Sequence, residues 1–545
     1  MTNNLLTSTF NGISNQSLDT LFIVLASLLC VAVFVLAVWL LTKYIRKPKY
    51  AETFKLKLEA YEKLPNETRL ARPQQFSFLG IWFAIACAGF IIRILFVFLT
   101  RGYRPDLYLV ADDILFNSNL TSLHAGPHFH YPFITYIYAF FGLIANAFGL
   151  NRSSGILPLF VRLPLILADI GLMLVVYLAA KKHINEYTGL ILAGIVAFFP
   201  PFIILSSVWG SVYAITVLLL VLTFYFIATK NMLGLFISYS LALLTSRSAL
   251  YLFPVVAIFV IYQLAKASLY VRRNKIDGFK DLIKTKEAKN VFFVPLYIVA
   301  FWLGSWLVAL PLLHEVAGNP FSFINFMYFT PLSTFSYFGE NSMGIFNLFV
   351  GMSENGTEWG ATSGMTTLFV ILFALIISGL VTLVYLTRKN RALLVFLAGY
   401  IYLTLSIFFI DFGAVNMIIV VALFLLSFIF VKDKRILMLT TILGILLTIN
   451  MSFIFLNAGF LTNAYPGGWN NGFPNELYTG EILLGLSSGR GAWLAANIVL
   501  SVLAIITFIY ATIVVLDIAM SNKRQLLSPL EKPTFLTSLG KFFKA

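Results

Sequence analysis

Charge is scarce in this sequence. Of 545 residues only 11% are Asp, Glu, Lys or Arg, against about 25% in an ordinary soluble chain. Cysteine is nearly absent: Cys30 and Cys87 are the two, both in apolar stretches, which excludes a disulfide framework and a cysteine-ligated metal centre. Histidine is rare too, with five residues. What is abundant is apolar surface, since 59% of the chain is hydrophobic and 16% aromatic. Soluble cores cannot absorb that excess, so the chain reads as a multi-pass membrane protein. Its net charge of +15, from 38 Lys and Arg against 23 Asp and Glu, then belongs to cytoplasmic loops and not to a nucleic-acid partner. No cleavable signal peptide is expected, because the first apolar run begins near Leu21 and is too long for one.

A helical span needs about 20 apolar residues. Runs of that kind are expected at 20–43, 77–99, 156–180, 187–206, 210–229, 232–246, 249–268, 292–314, 366–387, 392–410, 413–431, 436–457 and 492–518. The fold class expected is therefore an all-α polytopic bundle of about 13 transmembrane helices. Basic residues fix its sides. Residues 43–72 hold nine Lys and Arg and residues 272–289 hold seven, whereas loop 315–365 has Glu315, Glu340, Glu354 and Glu358 and no Lys or Arg. Thirteen spans, with the N-terminus outside and the C-terminus in the cytoplasm, put every basic cluster inside. Segment 131–150 would upset that count if it crossed, so it is expected to lie as a helix at the outer interface. The organisation expected is an extra N-terminal helix and basic connector (1–76), a transmembrane domain (77–518) with outer loops 100–155, 315–365 and 458–491, and a cytoplasmic tail (519–545).

On this layout the polar residues not needed for orientation gather at the outer face. The first outer loop carries Tyr103, Asp106, Asp112, Asp113, His128, His130 and Tyr131. Trp209 and Tyr213 flank the turn between two spans, and Arg247 sits in the break Thr245-Ser246-Arg247-Ser248. Ionisable groups at or within the membrane are costly and are functional candidates by default. Arg93, Arg162 and Asp169 join them, the last two being seven residues apart and so on one helix face. Plainer readings stand beside these. Asp112-Asp113 also fits a helix cap, Arg247 also fits a side chain snorkelling to lipid headgroups, and Arg162 and Asp169 also fit a structural tie. His128-x-His130 lacks a third ligand, so no metal is assigned and a divalent metal is left open.

The order of these residues resembles the bacterial membrane glycosyltransferases of the GT-C class, related to the mannosyltransferases of glycolipid-anchor assembly. The resemblance runs over about 300 residues: Arg93, then Gly102-Tyr103-Arg104-Pro105-Asp106, Phe129-His130-Tyr131-Pro132-Phe133, Leu163-Pro164 through Asp169, Pro200-Pro201, Trp209-Gly210-Ser211-Val212-Tyr213, Ser246-Arg247-Ser248 and Ser342 through Phe349. It implies transfer of a sugar, a hexose such as mannose, from a polyprenyl-phosphate donor to a glycan, lipid or protein acceptor at the outer face of a bacterial cell membrane. Asp106 is then the expected base and Arg247 the partner of the donor phosphate. Tyr103, Asp112, Asp113, His128, His130, Tyr131, Trp209 and Tyr213 are expected around the substrate, with Arg93, Arg162 and Asp169 in support. The sequence also departs from the family, whose Trp-Gly-Gln-x-Asp is Trp-Gly-Ser-Val-Tyr here and whose Lys-Pro-Gln is Ser-Arg-Ser. Those departures imply the alternative of a catalytically degenerate homologue serving as partner or scaffold of another membrane transferase.

Overall fold

The computed structural model describes residues 78–99, 131–150, 156–275, 285, 288–313, 319–324, 328, 343–345, 391–408, 414–463 and 490–520. Among these every regular element is a helix. In chain order they are α1 (Phe78–Leu99), α2 (Pro132–Ala147), α3 (Leu157–His183), α4 (Glu186–Phe198), α5 (Pro200–Trp209), α6 (Tyr213–Thr229), α7 (Met232–Leu243), α8 (Phe253–Arg273), α9 (Asn290–Leu313), the single turn α10 (Pro320–Ile324), α11 (Arg391–Phe408), α12 (Ala414–Val431), α13 (Lys434–Asn463) and α14 (Arg490–Met520). A 3₁₀ turn, Arg247–Leu252, leads into α8. Six helices among the described residues are long and apolar enough to cross a membrane, and a seventh crossing is added if the bent pair α4 and α5 is one span. Of the thirteen expected runs, 20–43 and 366–387 lie outside the described residues, as do the basic connector and residues 521–545 of the expected tail, whose first two residues end α14.

The centre of the bundle is α12, whose side chains from Met417 to Ile429 are all buried and which packs against α3, α6, α11 and α13. Around the rim the apolar side chains face outward. On α1, Leu79 and Phe83, and then Leu95 and Phe98, are more than half exposed at the three- and four-residue spacing of a single helical stripe. Leu296, Val299, Leu303 and Leu307 are also exposed at three- and four-residue spacing on α9, which packs mainly against α7 and α8. A soluble protein does not leave contiguous surfaces of this kind open; lipid is the medium that suits them.

One end of the bundle is held by short polar turns and ion pairs. Asn185 and Asn231 cap α4 and α7, accepting from Thr188 N at 2.7 Å and Gly234 N at 3.1 Å, as helix N-caps do. Lys181 pairs with Glu186. Arg435 bridges Asp433 at 2.7 Å and Asp517 at 2.6 Å, joining the start of α13 to the end of α14. Lys181, Lys182, Lys230, Arg272, Arg273, Lys432 and Lys434 all fall at helix ends on this side, so it is the basic end.

One expected span is not straight, and the segment expected as an interfacial helix touches the bundle. Segment 187–206 is broken at Phe199, where α4 and α5 meet at 50°. Pro200 and Pro201 follow, and a residue before proline is pushed out of the helical region; Phe199 has φ −76° and ψ 121°. Its ring fits against α13 only because residue 444 is glycine, since a Cβ there would stand 1.8 Å from Phe199 Cζ. Segment 131–150 forms α2, which touches other helices near the end away from the basic one. Tyr138 Oη donates to Val161 O at 3.0 Å, Tyr136 Oη to Val308 O at 2.9 Å, and Phe133 N to Leu244 O at 3.1 Å.

Candidate functional site

Two constellations of polar side chains lie inside this apolar frame. The first is at the crossing of α1, α3 and the broken α4–α5 segment. Arg93 and Asp169 are buried and paired, with Arg93 Nε 2.8 Å from Asp169 Oδ2. The rest of the guanidinium is given to backbone: Nη1 donates to Gly89 O at 3.1 Å and Ala197 O at 2.8 Å, and Nη2 to Val196 O at 3.3 Å. Ser206 Oγ, on the far side of the bend, donates to Asp169 Oδ2 at 2.6 Å. Gly89 favours the close crossing, because a Cβ there would stand 3.2 Å from the Ala197 Cβ and push the helices apart by a few tenths of an ångström. Arg162, two turns before Asp169 on α3, donates to Val97 O at 3.2 Å and Ser207 O at 2.5 Å. Arg162 and Asp169 thus share a face, as expected, and both tie α3 to α1 and to α5.

The second constellation surrounds the break between α7 and α8. Ser246 has extended backbone and its hydroxyl accepts from Ser248 N at 3.2 Å, which caps the turn that Arg247 begins. Carbonyls around the break accept from three phenols: Tyr328 Oη donates to Leu243 O at 3.0 Å, Tyr239 Oη to Ala249 O at 3.1 Å, and Tyr402 Oη to Ser248 O. Tyr131, at the end of the first long loop, closes the group from outside. Its phenol oxygen accepts from the Arg247 backbone N–H and lies within electrostatic reach of the Arg247 guanidinium and of Tyr213 and Tyr251. Tyr402 is near Tyr213 and Tyr251 as well. Burial pushes the Tyr131 phenol above its ordinary value, while Arg247 pulls it part of the way back. Burial raises Tyr328 in the same sense, with Tyr131 adding to it. The Tyr131 and Tyr328 phenols therefore stay neutral at physiological pH. Arg247 and Tyr131 are only half-buried, so this is where an anionic or hydroxylated ligand can be met.

No protein-family model and no curated protein matches this chain.

Of the residues singled out in the sequence, Tyr131, Tyr213 and Arg247 come together in this second group, although they are far apart in the chain. Trp209 does not present a ring to it. It is 2% exposed and packed in the core, at the end of a π-helical turn that closes with Gly210 in the left-handed region at φ 69°. Arg93, Arg162 and Asp169 form the interior network. Tyr103, Asp106, Asp112, Asp113, His128 and His130 lie outside the described residues. Among the described residues no three His, Cys, Asp or Glu side chains are grouped as metal ligands. Sequence reasoning missed Ser206, Tyr239, Tyr251, Tyr328 and Tyr402. Tyr402 carried a weak signal, being one of four hydroxyls, with Tyr400, Thr404 and Ser406, in the second half of an apolar helix.

Proposed function

We propose that the chain is a membrane glycosyltransferase that moves a hexose from a polyprenyl-phosphate donor to an acceptor at the outer face of the membrane. In this reading it is a bundle of about 13 spans of GT-C type, with the N-terminus outside and the C-terminus in the cytoplasm. The observation that carries it is the meeting of Tyr131, Tyr213 and Arg247 at the end of the bundle opposite the basic one. Arg247 then stabilises the charge that develops on the leaving lipid phosphate, as a fixed cation does best at a partly water-excluded edge. Asp106, in the loop that ends at Tyr131, removes the proton from the attacking hydroxyl. The C1–O bond to the lipid phosphate breaks as the acceptor oxygen bonds to C1, and the phosphate leaves as the dianion. The phenols of Tyr131, Tyr213 and Tyr251 offer donors and ring faces to the sugar.

The test is transfer of labelled hexose from polyprenyl phosphate by the purified protein in proteoliposomes. Asp106→Asn is expected to cost about 10²–10⁴ in rate and Arg247→Ala about 10²–10³. Unchanged transfer in both variants overturns the assignment. One observation favours the degenerate-scaffold reading instead. Ser211, which stands where the family has Gln, is buried and its hydroxyl is 3.5 Å from the Tyr213 backbone N–H, so it serves the turn and not a ligand. A folded protein with no turnover on any lipid-linked sugar selects that reading.

A further inference from the structure

We propose that Arg93 replaces two missing backbone donors, and that Arg93 and Asp169 are positioning residues which hold the bend of the α4–α5 span. In an unbroken helix the carbonyls of Val196 and Ala197 accept from the N–H groups of residues 200 and 201. Here those residues are Pro200 and Pro201, which have no N–H. An open carbonyl in an apolar interior costs as much as a lost hydrogen bond. The Arg93 guanidinium supplies both donors, Nη1 to Ala197 O at 2.8 Å and Nη2 to Val196 O at 3.3 Å. Asp169 balances the charge this brings into the bundle. Ser206 fastens Asp169 to the segment beyond the bend at 2.6 Å, so one network grips both arms of the 50° break. Arg162 repeats the device further along, with Nη1 on the carbonyls of Val97 and Ser207. An ion or proton pathway is the other common use of a charged pair inside a membrane. It suits this pair poorly, because Asp169 is 1% exposed and already holds both a cation and a hydroxyl. What the bend achieves is placement: the arm from Pro200 to Trp209 ends at the turn that delivers Tyr213 to Arg247 and Tyr131. The inference rests on the transferase reading only for what is being placed.

Restoring the N–H groups separates the clamp from an ordinary ion pair. The experiment uses the full chain in nanodiscs, with Cys30 and Cys87 replaced and spin labels at positions 187 and 212. It compares the parent with Arg93→Met/Asp169→Asn and with the same pair combined with Pro200→Ala/Pro201→Ala. The first variant is expected to lower Tm by roughly 2–5 °C, the cost of two open carbonyls. The combined variant is expected to regain most of that loss, because the alanine N–H groups close the helix. Its label separation should grow by about 4 Å as the span straightens, given a rise of about 1.5 Å per residue. A charge pair that serves anything other than these carbonyls is not rescued by alanine at 200 and 201. Equal instability of the two variants, or a combined variant with the parent's label separation, overturns the proposal. If the first variant cannot be purified, folding of the combined variant supports the clamp and its failure to fold overturns it. Neither readout involves sugar transfer, so a chain with no transferase activity leaves the test intact.

Discussion

The two arginine sites differ in what their surroundings leave for them to do. Arg93 is fully buried, and its three nitrogens are occupied by Asp169 and by carbonyls of Gly89, Val196 and Ala197. Arg247 is half-buried at the start of a turn, and the same structural demands around it are met by other groups: Ser246 caps the turn and three phenols take the carbonyls. An ionisable group in a membrane protein is a functional candidate by default, yet only one of these two has its local backbone satisfied by others. Where neighbours meet the backbone's needs, the fold does not have to spend the charge on them. Where the charge itself meets them, it is consumed by the fold.

The sharpest way to break this contrast is to compare Asp169→Leu with Arg247→Ala. The first leaves Arg93 charged and unbalanced in the interior, a loss of about 3–5 kcal/mol. The second removes a half-exposed side chain whose backbone N–H keeps its bond to Tyr131, and is expected to cost under about 1 kcal/mol. Thermal unfolding of the detergent-purified chain reads both, and equal losses would erase the distinction. Ser206→Ala comes next. It deletes the hydroxyl on the Asp169 carboxylate at 2.6 Å, and a hydrogen bond to a charged group is worth about 1.5–3 kcal/mol. Gly444→Ala attacks the bend from its other side. The new methyl would overlap the Phe199 ring, which is buried and cannot swing away, and overpacking of this kind costs about 1–3 kcal/mol. A Gly444→Ala protein with unchanged Tm would mean that the bend is not fixed by contact with α13.

Much of this frame was legible in the sequence, because a run of apolar residues needs no long-range information. The expected 77–99 and the observed Phe78–Leu99 differ by a residue, and the break at Thr245-Ser246-Arg247-Ser248 was readable from its hydroxyls and charge. The 50° bend was less so. Pro200-Pro201 is visible as a pair, but hydropathy does not change across it, so 187–206 reads as one span. The pairing of Arg93 with Asp169 was not legible at all. They are 76 positions apart, and Asp169 could equally have faced Arg162 on its own helix. Trp209 failed for a related reason. Its position at the end of a span suggested a membrane-edge ring, but a π-helical turn and the left-handed Gly210 aim it into the core. The meeting of Tyr131, Tyr213 and Arg247 was readable only as a shared side of the membrane, since contact depends on how α2, α6 and the 3₁₀ turn are packed.

The smallest expected effect bears on the outer group through pH. Burial raises the Tyr131 phenol above its unfolded value, and Tyr328 likewise. For an acid whose folded value is the higher, the native chain still holds the proton at a pH where the unfolded chain has released it, so unfolding releases protons. Stability from such groups is complete below the unfolded value of about 10 and falls as pH rises beyond it. Thermal stability should therefore be flat across neutral pH and decline above pH 10. Tyr131→Phe keeps the ring, loses one hydrogen bond, and should shift stability at pH 7 by about 1 kcal/mol or less. It should also make the alkaline decline shallower. Arg247→Ala works in the opposite direction, since losing the cation removes the larger of the two influences that favour the phenolate and leaves only the backbone N–H, and its decline should begin at the same pH or steepen. A Tyr131→Phe chain with the parent's alkaline profile would mean that this phenol is open to solvent and is not part of the closed group around Arg247.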